Sequence, residues 1–205
     1  MKPELVRSAA SGLARRLGLS SAEEEVIRYG LQVLVYTAAD WAAVAGAGWL
    51  AGALPQALMA TAGTSFLRLF SGGAHSRSPL VCGLVGAAVA AGLGRGAREL
   101  AVRLAPAVTA GLLTAGWLLV VAAVLRLAPV DSPAHPVRSA ERRRGLRRLS
   151  LVVLGLLGAV SFILVPVRPD LALALGCGLW WQGFTLTGAG HRLVAAVDNL
   201  AWGKG

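Results

Sequence analysis

Six long apolar stretches run through this chain, at about residues 31–50, 54–70, 79–94, 104–125, 149–167 and 171–187, and most of its charges are gathered between them. A helix needs about 20 predominantly apolar residues to cross the hydrocarbon core of a bilayer. Inside that core each backbone N–H and C=O has to be bonded within the protein, which a helix achieves by itself. The pattern therefore predicts an all-α, polytopic membrane protein with about six transmembrane helices, organised as one integral membrane domain over residues 1–205. Composition agrees: 56% of the 205 residues are hydrophobic and 15% are charged, where soluble domains carry about a quarter charged. The stretches at 54–70 and 79–94 are the short ones, so either they tilt little or the segment joining them dips into the membrane.

Ahead of the first stretch, Leu5, Ala9, Leu13 and Leu17 fall on one helical stripe, with Arg7, Arg15 and Arg16 elsewhere. Such a helix, within about residues 1–25, suits the headgroup region of a bilayer, although a short solvated helix has the same pattern. Ser20 or Ser21, followed by Glu23, Glu24 and Glu25, reads as an N-cap with acidic first-turn residues that opens a helix continuing into the first stretch. The short apolar core and small-residue cleavage site of a secretory signal are missing, so the N-terminus is expected to be retained.

Reactive side chains converge between the second and third stretches, in Arg68-Leu69-Phe70-Ser71-Gly72-Gly73-Ala74-His75-Ser76-Arg77-Ser78-Pro79-Leu80-Val81-Cys82. Proline is well suited to the first position of a helix and serine to the N-cap before it, so Ser78-Pro79 predicts a helix start that puts Cys82 in the first turn. Free N–H groups and the positive end of the helix dipole favour a thiolate there, with Arg77 adding charge. Gly72 and Gly73 interrupt the incoming helix and reach backbone angles closed to other residues, which lets His75 fold back toward the thiol. A thiol with a nearby imidazole is the nucleophile and base pair of a cysteine peptidase. A lone cysteine at the start of an apolar helix is also commonly a small buried hydrophobe.

The basic residues set an orientation. Residues 126–148 carry Arg126, Arg138, Arg142, Arg143, Arg144, Arg147 and Arg148 against Asp131 and Glu141, and loops rich in arginine stay in the cytoplasm. With six spans, both termini and the 68–78 turn are then cytoplasmic, with Arg95, Arg98 and Arg103 opposing this more weakly from the other side. The formal net charge of +10 does not point to nucleic acid, because seven of the twenty Lys and Arg residues sit in that one segment without a nucleic-acid-binding motif. Anionic lipid or an acidic peptide segment is the expected counterpart.

Three separated patches, Tyr29-Gly30-Leu31-Gln32, Arg68 through Cys82, and Ala128-Pro129-Val130-Asp131-Ser132-Pro133-Ala134-His135-Pro136 running into the basic 141–148 segment, resemble the accessory gene regulator B family, AgrB. These are membrane cysteine endopeptidases that process precursors of cyclic autoinducing peptides in quorum sensing. The middle patch is the specific one, with its order of arginine, glycine pair, histidine and cysteine. The resemblance implies Cys82 as nucleophile, His75 as general base and acid, and Arg68 and Gly73 as supporting residues. It also implies an amphipathic, AgrD-like precursor as substrate, cleaved through a thioester and cyclised to a thiolactone or lactone. Arg142, Arg143 and Arg144 would then meet the acidic C-terminal part of that precursor, unless they serve insertion alone.

Gln32 is a candidate to orient His75 or polarise the scissile carbonyl, and a helix-packing glutamine otherwise. Asp40 lies deeper in the first stretch, where an ionisable side chain is a functional candidate or a packed neutral carboxyl. Cys177 reads as a packing residue, and His135 and His191 as solvated or interfacial. No motif for a metal or nucleotide cofactor appears, and the cysteines are expected to stay reduced on the cytoplasmic side. Gly46, Gly48, Gly86, Gly155 and Gly158 permit close helix contacts within and between chains, so a homodimer is expected. The competing class is a non-enzymatic membrane protein, such as a transporter subunit or sensor, in which the glycines and Pro79 only shape a turn.

Overall fold

The computed structural model describes residues 3–131 and 139–202. His135 and Arg138 lie outside the described residues. The described residues form eight helices: α1 (Pro3–Leu17), α2 (Ser21–Leu50), α3 (Leu54–Ser71), α4 (Pro79–Ala101), α5 (Pro106–Leu127), α6 (Ala140–Leu164), α7 (Pro169–Thr185) and α8 (Gly188–Trp202). Among the described residues the extended pairing is one isolated parallel bridge, between Gly72 and Val130.

The six apolar stretches correspond to α2 to α7, with revised edges. α6 begins at Ala140 because Ser139 caps it, accepting the Arg142 N–H at 3.3 Å. Arginine is a good helix former, so Arg142, Arg143, Arg144, Arg147 and Arg148 occupy the first turns of a helix and not a loop. α4 likewise runs on through Arg95 and Arg98 to Ala101. Four helices, α2, α4, α5 and α6, are long and apolar enough to cross a membrane. α3 and α7 have 18 and 17 residues, and 17 residues reach only about 26 Å at 1.5 Å each, against a hydrocarbon core of about 30 Å. The polar side chains on these two, Gln56, Arg68 and Gln182 among them, explain why they fall short of the expected six.

Contacts divide the chain into two compact units, Met1–Ala42 and Ala43–Gly205. In the first, α1 ends at Gly18, which adopts a positive φ of 65°. Ser20 and Glu23 then form the expected capping box: Glu23 Oε2 accepts from the Ser20 N–H and hydroxyl at 2.8 and 2.7 Å, and Ser20 Oγ accepts the Glu23 N–H at 3.4 Å. The Ser20 bonds hold the Glu23 carboxyl below the usual carboxylate range. Among the described side chains of α1, Ala10 and Ala14 are buried, while Leu13 and Leu17 of the predicted stripe are exposed.

In the second unit α7 is the central element, packed on by α3, α4, α5, α6 and α8. Small residues make this possible. A Cβ added to Gly63 of α3 would stand 2.8 Å from the Leu175 carbonyl oxygen, and one on Gly178 would strike the Ala60 carbonyl. The backbones are thus near contact, as at close membrane-helix crossings. Thr64 secures the crossing, its hydroxyl placed 3.1 Å from the Ala60 and 3.0 Å from the Gly178 carbonyl oxygen. Leu67, Val120, Val124, Leu154 and Leu179 close the core beside the end of the bundle that carries the 72–78 turn. Of the five glycines read for helix contact, Gly48 and Gly158 are used within the chain, against Ala57 and Trp117; Gly46, Gly86 and Gly155 face open space.

Candidate active site

Helix α3 stops where the glycines begin. Gly72 caps it at φ 66°, its N–H bonded to the Arg68 carbonyl at 3.0 Å, and Gly73 follows at φ 141°. Both are angles that side chains of L-residues resist. Space excludes a side chain as well. An added Cβ on Gly72 would collide with the Val130 carbonyl, and one on Gly73 would lie 2.8 Å from Thr185 Oγ1 and 3.2 Å from Gln182 Nε2.

The turn is pinned from several directions. Gln182 Nε2 donates to the Gly72 carbonyl at 2.6 Å and to Ser71 Oγ at 3.0 Å. The Thr185 carbonyl accepts the Ala74 N–H at 3.0 Å, and Val130 N–H reaches the Ser71 carbonyl at 2.9 Å. Thr185 Oγ1 lies 2.8 Å from the Gln182 backbone carbonyl oxygen and 3.1 Å from Gln182 Oε1. Gln182, Ser71 and Thr185 are all buried, where an unbonded polar group is costly. Farther along, Ser76 Oγ donates to Asp198 Oδ1 of α8, and Arg77 N–H donates to Asp198 Oδ2 at 3.0 Å.

Ser78 caps α4 as the sequence predicts, its side chain accepting the Val81 N–H, with Pro79 in the first turn. The Cys82 N–H closes the first helical bond, to the Ser78 carbonyl at 2.9 Å. Side chains on a helix tilt toward its N-terminus, so the Cys82 sulfur leans over the capped turn. Cys82 is half-buried, and both cysteines are free thiols.

Arg68 joins the parts. Its Nε–H donates to His75 Nε2 at 3.4 Å, a long bond, its Nη2 donates to the Ala74 carbonyl, and the guanidinium lies within electrostatic reach of Cys82. Among the described residues no hydrogen bond joins His75 directly to Cys82. Crowding by protein atoms and then the Arg68 charge hold the His75 conjugate acid down to about 4. The residue as a whole is exposed, and solvent moderates both effects. His75 is therefore neutral at pH 7 and able to accept a proton.

The other sequence candidates divide. Arg143 bonds the Pro129 carbonyl at 3.0 Å and pairs with Asp131, while Arg147 donates to the Ala128 carbonyl at 2.8 Å. Both hold the strip that pairs with Gly72. Arg142 and Arg144 are exposed. Gln32 is exposed on α2, its amide 3.5 Å from Tyr36 Oη. Asp40 is exposed, Cys177 is half-buried in α7, and His191 Nδ1 faces the Thr187 carbonyl at 2.9 Å. Sequence reasoning missed Gln182, Thr185 and Asp198. A glutamine inside an apolar stretch was the available signal for the first.

A family model described as accessory gene regulator B, AgrB, matches residues 6–186. The chain belongs to the AgrB family. Family membership ties it to the accessory gene regulator system, and its apolar helices fit a multi-pass membrane protein. It is 25% identical over 204 residues to "Putative AgrB-like protein 2" of Clostridium perfringens strain 13, covering 93% of this chain and 94% of the relative. It is 24% identical over 213 residues to "Putative AgrB-like protein" of strain SM101, covering 98% of each. No solved structure matches. The match to the AgrB family spans the whole 68–82 motif and all of α7, and ends before α8.

Proposed function

We propose that this AgrB-family chain is a membrane-embedded cysteine endopeptidase that cleaves an AgrD-like amphipathic precursor and cyclises the part it retains. The observation that carries the reading is Arg68, which contacts His75 Nε2 and lies near Cys82, a nucleophile in the first turn of α4.

His75 takes the proton of the Cys82 thiol, and the thiolate attacks the scissile carbonyl carbon. The C–N bond breaks, His75 returns the proton to the leaving amine, and the precursor's C-terminal part departs. The retained part stays on Cys82 as a thioester. An internal cysteine or serine of that peptide then gives its proton to His75 and attacks the thioester carbonyl. Cys82 leaves as thiolate, and a thiolactone or lactone ring is closed. Exchange of one thioester for another is close to balanced, so a site that limits water favours closure over hydrolysis. Holding the internal nucleophile beside the acyl carbon supplies several kcal/mol in well-oriented systems.

For His75 to reach the thiol, its Nε2 must exchange Arg68 for Cys82, and a bond of 3.4 Å exchanges readily. The freed guanidinium is then available to the charge growing on the carbonyl oxygen. Arg142 and Arg144 are the exposed cations for the acidic end of the precursor, whereas Arg143 is engaged with Asp131 and Pro129. We place this end of the bundle at the cytoplasmic face, since Arg126 and the arginines at the start of α6 gather there. A homodimer is part of the proposal.

The test is co-expression with a precursor, followed by mass spectrometry of the peptide. Wild type should cleave, while Cys82→Ser and His75→Ala should lose cleavage although both insert normally. Cleavage by either variant at the wild-type rate overturns the reading.

A further inference from the structure

We propose that Asp198 of α8 is a positioning residue of the active site, clamping the second leg of the catalytic turn so that His75 and the helix bearing Cys82 keep a fixed separation. The inference rests on the peptidase reading above and adds to it an element lying beyond the family match, which ends at residue 186.

The turn has two legs with His75 between them. The first, Ser71 to Ala74, is held by Gln182, Thr185 and Val130. The second, Ser76 to Ser78, is held among the described residues by one side chain of another helix, Asp198. Ser76 Oγ, which donates to Asp198, also accepts the Ser78 N–H at 3.2 Å. The carboxylate, the Ser76 hydroxyl and the N-cap of α4 thus form one chain of bonds. At its far end stands the helix that carries Cys82.

Asp198 is the charged side chain that α8 buries among its described residues. The residue is 5% exposed in a helix whose Leu193 and Leu200 are 44% and 88% exposed. A carboxylate is rarely buried unless paired, and among the described ion pairs none includes Asp198. Its hydrogen bonds go to Ser76 and Arg77. Those bonds hold its carboxyl below the usual carboxylate range, so it is charged at neutral pH. Among the described residues, the bonds to Asp198 are the ones that tie the residues between His75 and Pro79 to another helix, so without them the His75 to Cys82 distance loses definition.

The experiment uses the full-length chain in liposomes containing phosphatidylglycerol, in a Cys177→Ser background so that iodoacetamide reports Cys82 alone. Asp198→Asn, Ser76→Ala and the double variant are compared by alkylation rate against pH, by kcat and KM on an AgrD-type precursor, and by thermal unfolding. Asp198→Asn is expected to lower kcat on the order of 10- to 100-fold with KM little changed, and to alter the alkylation profile of Cys82. The double variant should lose less than the product of the two single losses, because both disturb the Ser76–Asp198 bond, while Asp198→Asn also weakens the hold on the Arg77 N–H and Ser76→Ala also removes the acceptor of the Ser78 N–H. Unchanged kcat and alkylation in a folded Asp198→Asn, or losses that multiply in the double variant, overturn the clamp. If Asp198→Asn fails to fold, Ser76→Ala decides, since it removes the bond without touching α8. Alkylation needs no precursor, so a wild type that never processes peptide yet shows the altered profile in the variants defeats the peptidase reading and leaves the clamp.

Discussion

Two glycine turns, at opposite ends of α3, are built to different tolerances. The turn before α3 passes through Gly52 at φ 64°, and an added Cβ there would meet only the guanidinium tips of Arg95 and Arg98, at 3.5 and 3.6 Å. The turn after it passes through Gly72 and Gly73, where a Cβ would meet the Val130 carbonyl, Thr185 and the Gln182 amide. Flexible side chains can move aside, but a buried backbone cannot. The first turn needs glycine for its backbone angle alone. The second needs it for the angle and for the space, and it is the one that carries His75. Arginines bond carbonyls at both ends, Arg95 and Arg98 at Ala51 and Gly52, Arg143 and Arg147 at Pro129 and Ala128. Counting arginines therefore overstates the charge left free for a substrate.

The sharpest way to break this comparison is to put alanine at each turn. Gly72→Ala should cost more than about 3 kcal/mol of stability, through backbone strain and collision together, and abolish processing. Gly52→Ala should cost about 1 kcal/mol and process the precursor normally. Thermal unfolding and peptide yield check both, and equal losses would erase the distinction. Next in size, Gln182→Leu leaves Ser71 and the Gly72 carbonyl without their donor in a buried site, which costs about 1–3 kcal/mol and should slow processing more than it weakens precursor binding. Arg143→Gln should lower stability by about 1 kcal/mol, since the pair with Asp131 is partly exposed. The Arg142→Gln, Arg144→Gln double variant should leave stability unchanged and raise KM.

The smallest effect concerns pH. His75 is held to about 4 in the folded protein, below the ~6.5 of a free histidine. Between those values the unfolded chain binds the extra proton, so this contribution to stability is fully present above pH ~6.5 and fades as pH falls toward 4. The imidazole stays neutral over the same window, and if it is the base of the proposed reaction, the acid limb of kcat/KM should lie well below 6.5. Arg68→Gln removes one of the two causes and should move that limb upward. A limb at 6.5 in the wild type would show that water, and not the protein, sets the imidazole.

Much of this architecture was legible because its causes are local. Six apolar runs mark α2 to α7, Ser20 with Glu23 marks the start of α2, and Ser78-Pro79 marks the start of α4. The glycine pair, His75 and Cys82 were legible for the same reason. What escaped depends on pairing across the chain. Gln182 looks like one polar residue in an apolar run until Gly72, 110 positions earlier, is seen to need its donor. α8 is short and amphipathic, and the purpose of Asp198 appears only beside Ser76, 122 positions away. The basic segment misled differently. In sequence its arginines look like loop charge for topology, yet Ser139 starts a helix through them and two of them hold backbone carbonyls.

The most direct measurement is capture of the acyl-enzyme. The purified chain in liposomes is incubated with an AgrD-type precursor whose internal cysteine is replaced by alanine, so that the ring cannot close, and intact and digested protein are weighed by mass spectrometry. The account expects the precursor's N-terminal part attached to Cys82, released by hydroxylamine as a thioester would be, and lost in His75→Ala. Cleavage of the precursor with no adduct on Cys82, or an adduct on Cys177 instead, would contradict it.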